Sequence, residues 1–272
     1  MLIDFHTHTF PEKIAARTVE TLQANTMRVE KKYTPAYTDA TVPGLLESMN
    51  KHGVDISVVL PIATAPRQTN TINMVAQDTN KNERLFSFGS LHPMQEDWEA
   101  VIYGIAEKGL PGIKLHPEYQ QFYIDSPESI RILKLCEKLG LLVTLHTGRD
   151  IGMEPPIHCM PESLRKVMDW EVSGKNIIAA HMGGWREWDG VEKWLVGTPV
   201  NMDTAYVSLD MDKAQFERIV RTHGADKVLF ATDSPWESPE MTVKYINSTG
   251  LNEGEKSKIF AENAKKLLKI TP

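Results

Sequence analysis

Short apolar segments alternate with longer amphipathic segments along all 272 residues, and this alternation restricts the choice of fold most strongly. The apolar segments are rich in Val, Ile, Leu and Phe and are too short for helices, so each is typical of a buried strand. They comprise residues 2–6, 56–61, 85–89, 112–116, 141–146, 176–181, 200–203 and 228–233. The pattern therefore predicts eight strands, each followed by a helical segment.

The segments between the strands carry helix signals at their ends. Residues 42–52 have apolar side chains at helical spacing and stop before Gly53. Residues 126–139 begin with Ser126 as a cap and stop before Gly140. Residues 213–222 and 252–268 show the same pattern. Each of these segments is therefore predicted to be a helix.

Eight strand–helix units in a chain of this length predict a distorted (β/α)8 TIM barrel, an α/β fold, as a single domain over residues 1–272. A doubly wound open sheet is the competing fold. It usually has a glycine-rich phosphate turn after the first strand, whereas this chain continues His-Thr-His-Thr-Phe-Pro from His6. Residues 9–43 form the longest gap and are predicted to be a helix and loop inserted after the first strand.

Composition limits the partners of the chain. The formal net charge of −6 opposes binding to a nucleic-acid backbone, and no apolar run is long enough to span a membrane. Two cysteines provide no disulfide framework, and the start of the chain lacks a signal-type segment. We therefore expect a cytoplasmic protein whose partner is a small-molecule substrate, with neither nucleic acid nor membrane. A homo-oligomer is left open.

Histidines stand at the ends of the predicted strands, where the active face of a barrel lies. His6 and His8 are two residues apart, so on a strand their side chains point to one face about 6.5 Å apart. Imidazoles at this distance can converge on one cation, and His146 and Asp233, at the ends of the fifth and eighth strands, can complete the set. We therefore predict one divalent ion, zinc first and manganese second. Without a metal, Asp233 could instead cap the helix that follows it.

Strand alternation predicts which neighbours of these residues face inward. Thr144 would share the inner face with His146, Ala231 with Asp233, and Ala179 with His181.

The strand-end residues form sequence motifs that resemble the amidohydrolase superfamily, specifically its amidohydrolase-related branch, which includes the aminocarboxymuconate-semialdehyde decarboxylase-like enzymes. The matching segments are residues 3–8, 145–148, 180–184, 202–204, 229–236 and 262–268. The resemblance implies a distorted barrel with one divalent ion, usually zinc, held by His6, His8, His146 and Asp233. It also implies that His181 polarises the substrate.

The fourth strand departs from many relatives, which carry a carbamylated Lys or a Glu that bridges two metals. Here it reads Gly-Ile-Lys-Leu-His-Pro-Glu, with Lys114 and His116 on one face. We interpret these two residues as a charged wall of the pocket that binds the substrate anion. A carbamylated Lys114 with a second metal, and Glu118 as a ligand, are the alternatives.

These residues predict a hydrolase in which a metal-activated water attacks a C–N or C–O bond of a small, carboxylate-bearing cyclic substrate. Asp233 would accept and return the proton, and His181 would donate to the substrate oxygen. Arg149 and Trp236 are predicted to contact the substrate, with Arg149 pairing its carboxylate. The alternative is a non-oxidative metal-dependent decarboxylase of an aromatic or muconate-like acid, which uses the same groups. A nuclease of the TatD type is opposed by the net charge and by the absence of Glu on the fourth strand.

Overall fold

Parallel strands form the wall of a barrel in the computed structural model, which describes residues 1–270. Within these residues the strands are β1 Ile3–Thr7, β2 Ile56–Val59, β3 Leu85–Ser87, β4 Gly89–Ser90, β5 Gly112–Leu115, β6 Leu142–Leu145, β7 Ile177–Ala179, β8 Asn201–Asp203 and β9 Val228–Leu229. They pair in the order β1-β2-β3 and β4-β5-β6-β7-β8-β9. The eight predicted strands are confirmed, and the third is divided into β3 and β4 at Phe88.

The two sheets join into a closed barrel through backbone hydrogen bonds. Phe88 N donates to Val59 O at 2.9 Å, which connects the divided third strand to β2. Phe5 N donates to Phe230 O at 2.9 Å, and Thr7 forms a parallel bridge with Ser234, so the first and last strands close the ring. The predicted barrel fold is therefore confirmed.

Helices follow the strands on the outside of the barrel. They are α1 Glu12–Glu30, α2 Val42–His52, α3 Thr69–Thr79, α4 Trp98–Glu107, α5 Pro117–Gln120, α6 Pro127–Leu139, α7 Pro161–Trp170, α8 Trp188–Trp194, α9 Lys213–His223, α10 Pro239–Asn247, α11 Glu253–Ser257 and α12 Asn263–Leu268. A π-helical turn, Lys258–Glu262, joins α11 to α12, so the predicted terminal helix is one nearly continuous element. Within residues 1–270, no helix has the length and apolar content needed to cross a membrane.

The predicted caps define the ends of two helices. Ser126 Oγ accepts a hydrogen bond from Ser129 N at the start of α6, and Gly140 ends this helix with a φ of 69°. Gly53 ends α2 in the same left-handed conformation, with a φ of 69°. Glycine adopts this conformation without steric cost, which explains why both helices stop where the sequence predicted.

A β-bulge in β1 turns two adjacent side chains toward the inside of the barrel. The pairing of β1 with β2 shifts between Asp4 and Thr7. As a result Phe5 packs in the same apolar cluster as Val58 and Leu229, while the next residue, His6, faces the pocket. A bulge places an extra residue on one strand and re-aims the side chains beyond it. Strand β1 therefore contributes side chains both to the barrel core below the site and to the site itself.

At two other strand ends the sequence predicted which side chain points into the barrel. One of these predictions agrees with the structure and the other does not. Ala231 belongs to the inner cluster, as predicted for the residue below Asp233. Ala179 does not, because Ile178 occupies the inner cluster and Ala179 packs with the outer one. The chain leaves the extended conformation after β7, and His181 has a φ of 59°. Strict alternation no longer applies at His181, so the predicted facing of Ala179 was wrong.

Helix α1 crosses the open end of the barrel. It begins four residues after His8, and its far end contacts the loops after β6 and β7. Arg28 donates to Gly152 O at 3.4 Å, and Arg186 Nη1 lies 2.8 Å from Glu30 Oε2. The predicted insertion after the first strand is therefore a helix that covers the face at which the strands end.

Candidate metal centre

The polar residues at the carboxyl ends of the strands line one pocket of about 580 Å³. Its wall includes every residue that the sequence predicted for the site: His6, His8, Lys114, His116, His146, Arg149, His181, Asp233 and Trp236. Their elements bring together residues up to 230 positions apart in the chain, because the carboxyl ends of parallel barrel strands meet at one face.

Three of the four predicted metal ligands form a compact first group, consisting of His6, His8 and Asp233. Their ligand atoms lie within 4.8 Å of one another. Asp233 Oδ1 is 3.0 Å from His8 Nε2 and 3.4 Å from His6 Nε2. Burial alone would raise the pKa of Asp233, but the neighbouring side chains of His8 and His6 outweigh it and hold the pKa below its ordinary value.

Hydrogen bonds assign the ring nitrogens of the two histidines in the first group. His8 Nδ1 lies 2.8 Å from Leu60 O and His6 Nδ1 lies 2.9 Å from Asp203 Oδ2, so in the neutral rings both Nδ1 atoms carry the proton. The Nε2 lone pairs then face a carboxylate oxygen, which is also an acceptor. An arrangement of acceptors around one point is stabilised by a cation, and two imidazoles with one carboxylate suit zinc or manganese. The residues of the first group therefore fit a divalent ion.

Asp203 connects the first group to His181. Its carboxylate accepts from His6 Nδ1, and it also accepts from the backbone nitrogens of His181 at 2.9 Å and Ala205 at 3.1 Å. A carboxylate behind a ligating histidine fixes the ring orientation and tautomer. Asp203 was expected only as part of the family motif at residues 202–204, and its role behind His6 was not predicted, although Asp203 ends a strand run as the predicted ligands do.

His146, the fourth predicted ligand, lies in a second group with His116 and Asp150. The ligand atoms of this second group also lie within 4.8 Å of one another. Asp150 Oδ2 is 3.4 Å from His116 Nε2 and 3.9 Å from His146 Nε2. The two rings are stacked, with centroids 4.1 Å apart. Asp150 was not predicted, and no signal beyond its position after the fifth predicted strand, which is β6 in the structure, would have identified it.

Two histidines bridge the groups. His146 Nδ1 lies 3.1 Å from His181 Nε2. The other nitrogen of each ring meets a carbonyl, because His146 Nε2 is 3.0 Å from Arg149 O and His181 Nδ1 is 2.9 Å from Ala205 O. In the neutral tautomers that donate to these carbonyls, the facing nitrogens are both acceptors. A proton or a cation between them would satisfy both, so His146 Nδ1 is the atom available for ligation.

Glu118 adjoins the second group from helix α5. Its Oε1 accepts from His158 N at 2.9 Å, whereas its Oε2 is buried and has no hydrogen-bond partner among the described residues. Burial raises the pKa of the Glu118 carboxyl to about 7. Glu118 Oε2 lies 4.0 Å from His146 Nε2, so the predicted alternative of Glu118 as a ligand stays a prediction.

Lys114 is a buried cation inside the site. Its Nζ lies 3.1 Å from His6 Nε2. Over residues 1–270 it forms no ion pair with an acidic side chain, although Asp203 and Asp233 are near enough to influence it. Burial lowers the pKa of Lys114 to about 8, and the surrounding carboxylates limit the decrease. Lys114, one of the two residues predicted to form a charged wall of the pocket, is therefore fully buried.

Arg149 lies at the edge of the pocket. Its Nε donates to Glu187 Oε1 at 2.8 Å, and its side chain is about half exposed. The pairing of Arg149 with a substrate carboxylate stays a prediction, and such pairing would compete with Glu187.

The amidohydrolase sequence model matches residues 3–270. The chain belongs to the amidohydrolase family. No curated protein sequence matches this amidohydrolase.

Solved structures with the same fold share little sequence with this amidohydrolase. The 2,6-dihydroxybenzoate decarboxylase from Rhizobium is 17% identical, with a TM-score of 0.69, and the match covers 99% of this chain and 98% of that one. The 5-carboxyvanillate decarboxylase from Novosphingobium aromaticivorans, complexed with manganese, is 15% identical, with a TM-score of 0.73 and coverage of 99% and 96%. A probable 2-pyrone-4,6-dicarboxylic acid hydrolase from Acinetobacter baumannii is 16% identical, with a TM-score of 0.67 and coverage of 99% of both chains. The likeness establishes a common barrel.

Proposed function

We propose that this amidohydrolase is a metal-dependent, non-oxidative decarboxylase of a small carboxylic acid. This reverses the order that the sequence motifs suggested, in which hydrolysis came first. The support for this change is that structures of similar fold include decarboxylases of hydroxylated benzoates. The buried ammonium of Lys114 supports a carboxylic acid as the substrate in either reaction.

Lys114 is the single observation that carries the choice of a carboxylic acid as the substrate. A buried charge is costly unless a partner of opposite charge compensates it. Among residues 1–270 no carboxylate oxygen lies within 4.0 Å of Lys114 Nζ, and Lys114 lines the pocket that contains the first group. Its present acceptor, His6 Nε2, is also a proposed metal ligand and cannot fill both roles with one lone pair. A substrate carboxylate in this pocket would give the ammonium its missing partner.

The residues then divide the chemistry between them. His6, His8 and Asp233, with His146 as the predicted fourth ligand, would hold a divalent ion, which supplies Lewis acidity toward a substrate oxygen. Lys114 binds and orients the carboxylate. His181, once protonated at Nε2, donates to a substrate oxygen. The C–C bond to the carboxylate breaks and its electron pair stays on the substrate carbon. A proton that Asp233 takes up from solvent and passes on replaces the released CO2. His116, Arg149 and Trp236 are proposed to line the substrate.

The experiment compares products from the protein loaded with Mn²⁺ or Zn²⁺. Hydroxylated benzoates and 2-pyrone-4,6-dicarboxylate are offered in D2O and in ¹⁸O-labelled water. The proposal predicts CO2 release, one deuterium on the product carbon and no solvent oxygen in the product. Solvent oxygen in the product without CO2 would overturn it.

Hydrolysis is the second candidate, and the similar fold of the pyrone hydrolase favours it. The labelled-water arm separates the two reactions. Lys114→Met should raise KM for a carboxylate substrate strongly in either reaction, and Lys108→Met on the exposed end of α4 is the matched control. An unchanged KM in Lys114→Met would remove the argument from the buried ammonium.

A further inference from the structure

The pocket extends well beyond the cluster of titratable groups. Helix α1 contributes Ile14, Thr18, Leu22 and Thr26 to the pocket wall. These residues are spaced by four, so they lie along one face of the helix. The stripe runs through three steps of four residues, which is roughly 18 Å at the helical rise. The covered space is therefore longer than a single-ring acid requires.

A second helix lines the same extension. Helix α3 contributes Ile72 and Val75 to the pocket wall, and Ile62 from the preceding loop joins them. Ile14 on α1 is 50% exposed and Val75 on α3 is 42% exposed. Apolar side chains that remain exposed on both sides of one opening indicate a surface that an apolar group covers.

Polarity divides the pocket into two parts. The histidines, Lys114, Asp150 and Asp233 are concentrated at the barrel end, whereas the part between α1 and α3 is aliphatic and hydroxyl-bearing. Arg67, exposed at the rim, is the one charged residue on the α3 side of the pocket wall within the described chain. A ligand that fills both parts has a polar reactive head and an apolar tail.

We propose that the substrate is an amphipathic carboxylic acid whose apolar alkyl or aryl tail lies between α1 and α3. This inference rests on the proposed function for the reactive head and adds the chemical class of the tail. The occupant is the substrate because the groove is continuous with the pocket that contains Lys114 and the first group. A compact hydroxybenzoate would leave the α1 stripe in contact with water.

The test is a series of 2-hydroxybenzoates that carry alkyl chains of increasing length. Burying one methylene favours binding by roughly fourfold, so kcat/KM should rise by about that factor per added carbon until the groove is filled. The rise should come mainly through KM, because the tail lies away from the reacting atoms.

Two variants on α3 localise the effect. Val75→Asp places a charge in the groove and should abolish the gain in kcat/KM with chain length. Met74→Asp is the matched control, since Met74 is 68% exposed on the same helix and does not line the pocket. It should retain the full gain.

The outcomes separate this inference from the proposed function. If the unsubstituted acid is decarboxylated and chain length has no effect, the inference is overturned and the function stands. If no acid reacts, the proposed function is wrong, and calorimetry with butyrate and decanoate then tests the inference. An affinity that rises from butyrate to decanoate, with a rise that Val75→Asp abolishes, supports the inference. Equal affinities for the two acids overturn it. A dimer that Val75→Asp dissociates, with no effect of chain length, would assign the groove to a second copy of the chain and also overturn the inference.

Discussion

The two titratable groups at the barrel mouth have similar composition and different construction. The first group, His6, His8 and Asp233, has its imidazole tautomers assigned by Asp203 and by the carbonyl of Leu60. The second group, His116, His146 and Asp150, is organised by ring stacking, and Tyr119 extends the stack with a centroid distance of 4.0 Å.

This difference explains why only one group has the form of a metal site. In the first group the ring orientations are set by hydrogen bonds from behind, so the Nε2 lone pairs converge on one point. In the second, His116 Nδ1 accepts from Tyr119 N and His146 Nε2 faces the carbonyl of Arg149, so in the neutral rings both Nε2 atoms carry protons. Two histidines and a carboxylate in proximity therefore do not suffice for a metal site, because the tautomers decide which nitrogens offer a lone pair.

The largest effect should come from removing the ligands of the first group. His6→Ala with His8→Ala should reduce metal content and activity to background, because two ligands are lost together while the apolar core below them is untouched. Elemental analysis and circular dichroism measure the two consequences, and His52→Ala on α2, outside the pocket wall, is the control. One full equivalent of metal in the double variant would assign the ion to another set of residues.

A large effect on turnover should follow from Asp233→Asn. The amide keeps the size of the side chain and part of its coordination but cannot carry the proton. Turnover should fall by about 100-fold or more, the scale typical of general acid–base catalysis. Metal content and kcat are measured on the same sample. Retained metal with nearly unchanged kcat would mean that another group transfers the proton.

Substituting one carboxylate behind each group compares them directly. Asp203→Asn should weaken metal affinity by about 10- to 100-fold, because it removes the acceptor that orients His6. Asp150→Asn should change metal affinity much less, since Asp150 belongs to the second group. Competition with a chromophoric chelator measures both. Equal losses in the two variants would show that both groups hold the same ion.

The barrel could be predicted because its signal is repeated. Eight apolar runs remain recognisable even when one, at Phe88, is interrupted. The convergence of His6, His8 and Asp233 followed from the rule that barrel strands end at one face. These predictions needed only the period of the sequence and the position of the strand ends.

Features set by backbone irregularity could not be predicted. The bulge in β1 places Phe5 and His6 both inward, against strict alternation, and the left-handed conformation of His181 breaks the pattern after β7. The stacking of His146 on His116 depends on tertiary contact between two strand ends. Asp203 is informative only once its distance to His6 is known. Each of these features arises from contacts between segments far apart in the chain.

The smallest effect concerns stability, and it tests whether the Glu118 carboxyl beside the second group is neutral. Burial raises the pKa of the Glu118 carboxyl from an ordinary 4.5 to about 7. As the pH rises from 4.5 to 7 the unfolded chain ionises while the folded protein keeps its proton, so the free energy of unfolding of the wild type decreases. Glu118→Gln does not titrate, so its stability relative to the wild type should increase over this range by up to about 3 kcal/mol. Denaturant unfolding of the chelated protein at several pH values measures the difference.

Glu237→Gln provides a matched reference, because burial also raises the pKa of Glu237 to about 7, and its Oε2 also lacks a partner in residues 1–270. A pH-dependent gain at Glu237 without one at Glu118 would mean that Glu118 is ionised in the folded protein. The unpartnered oxygen of Glu118 would then place a negative charge beside the second group, and the two groups would differ less in their ability to hold a cation.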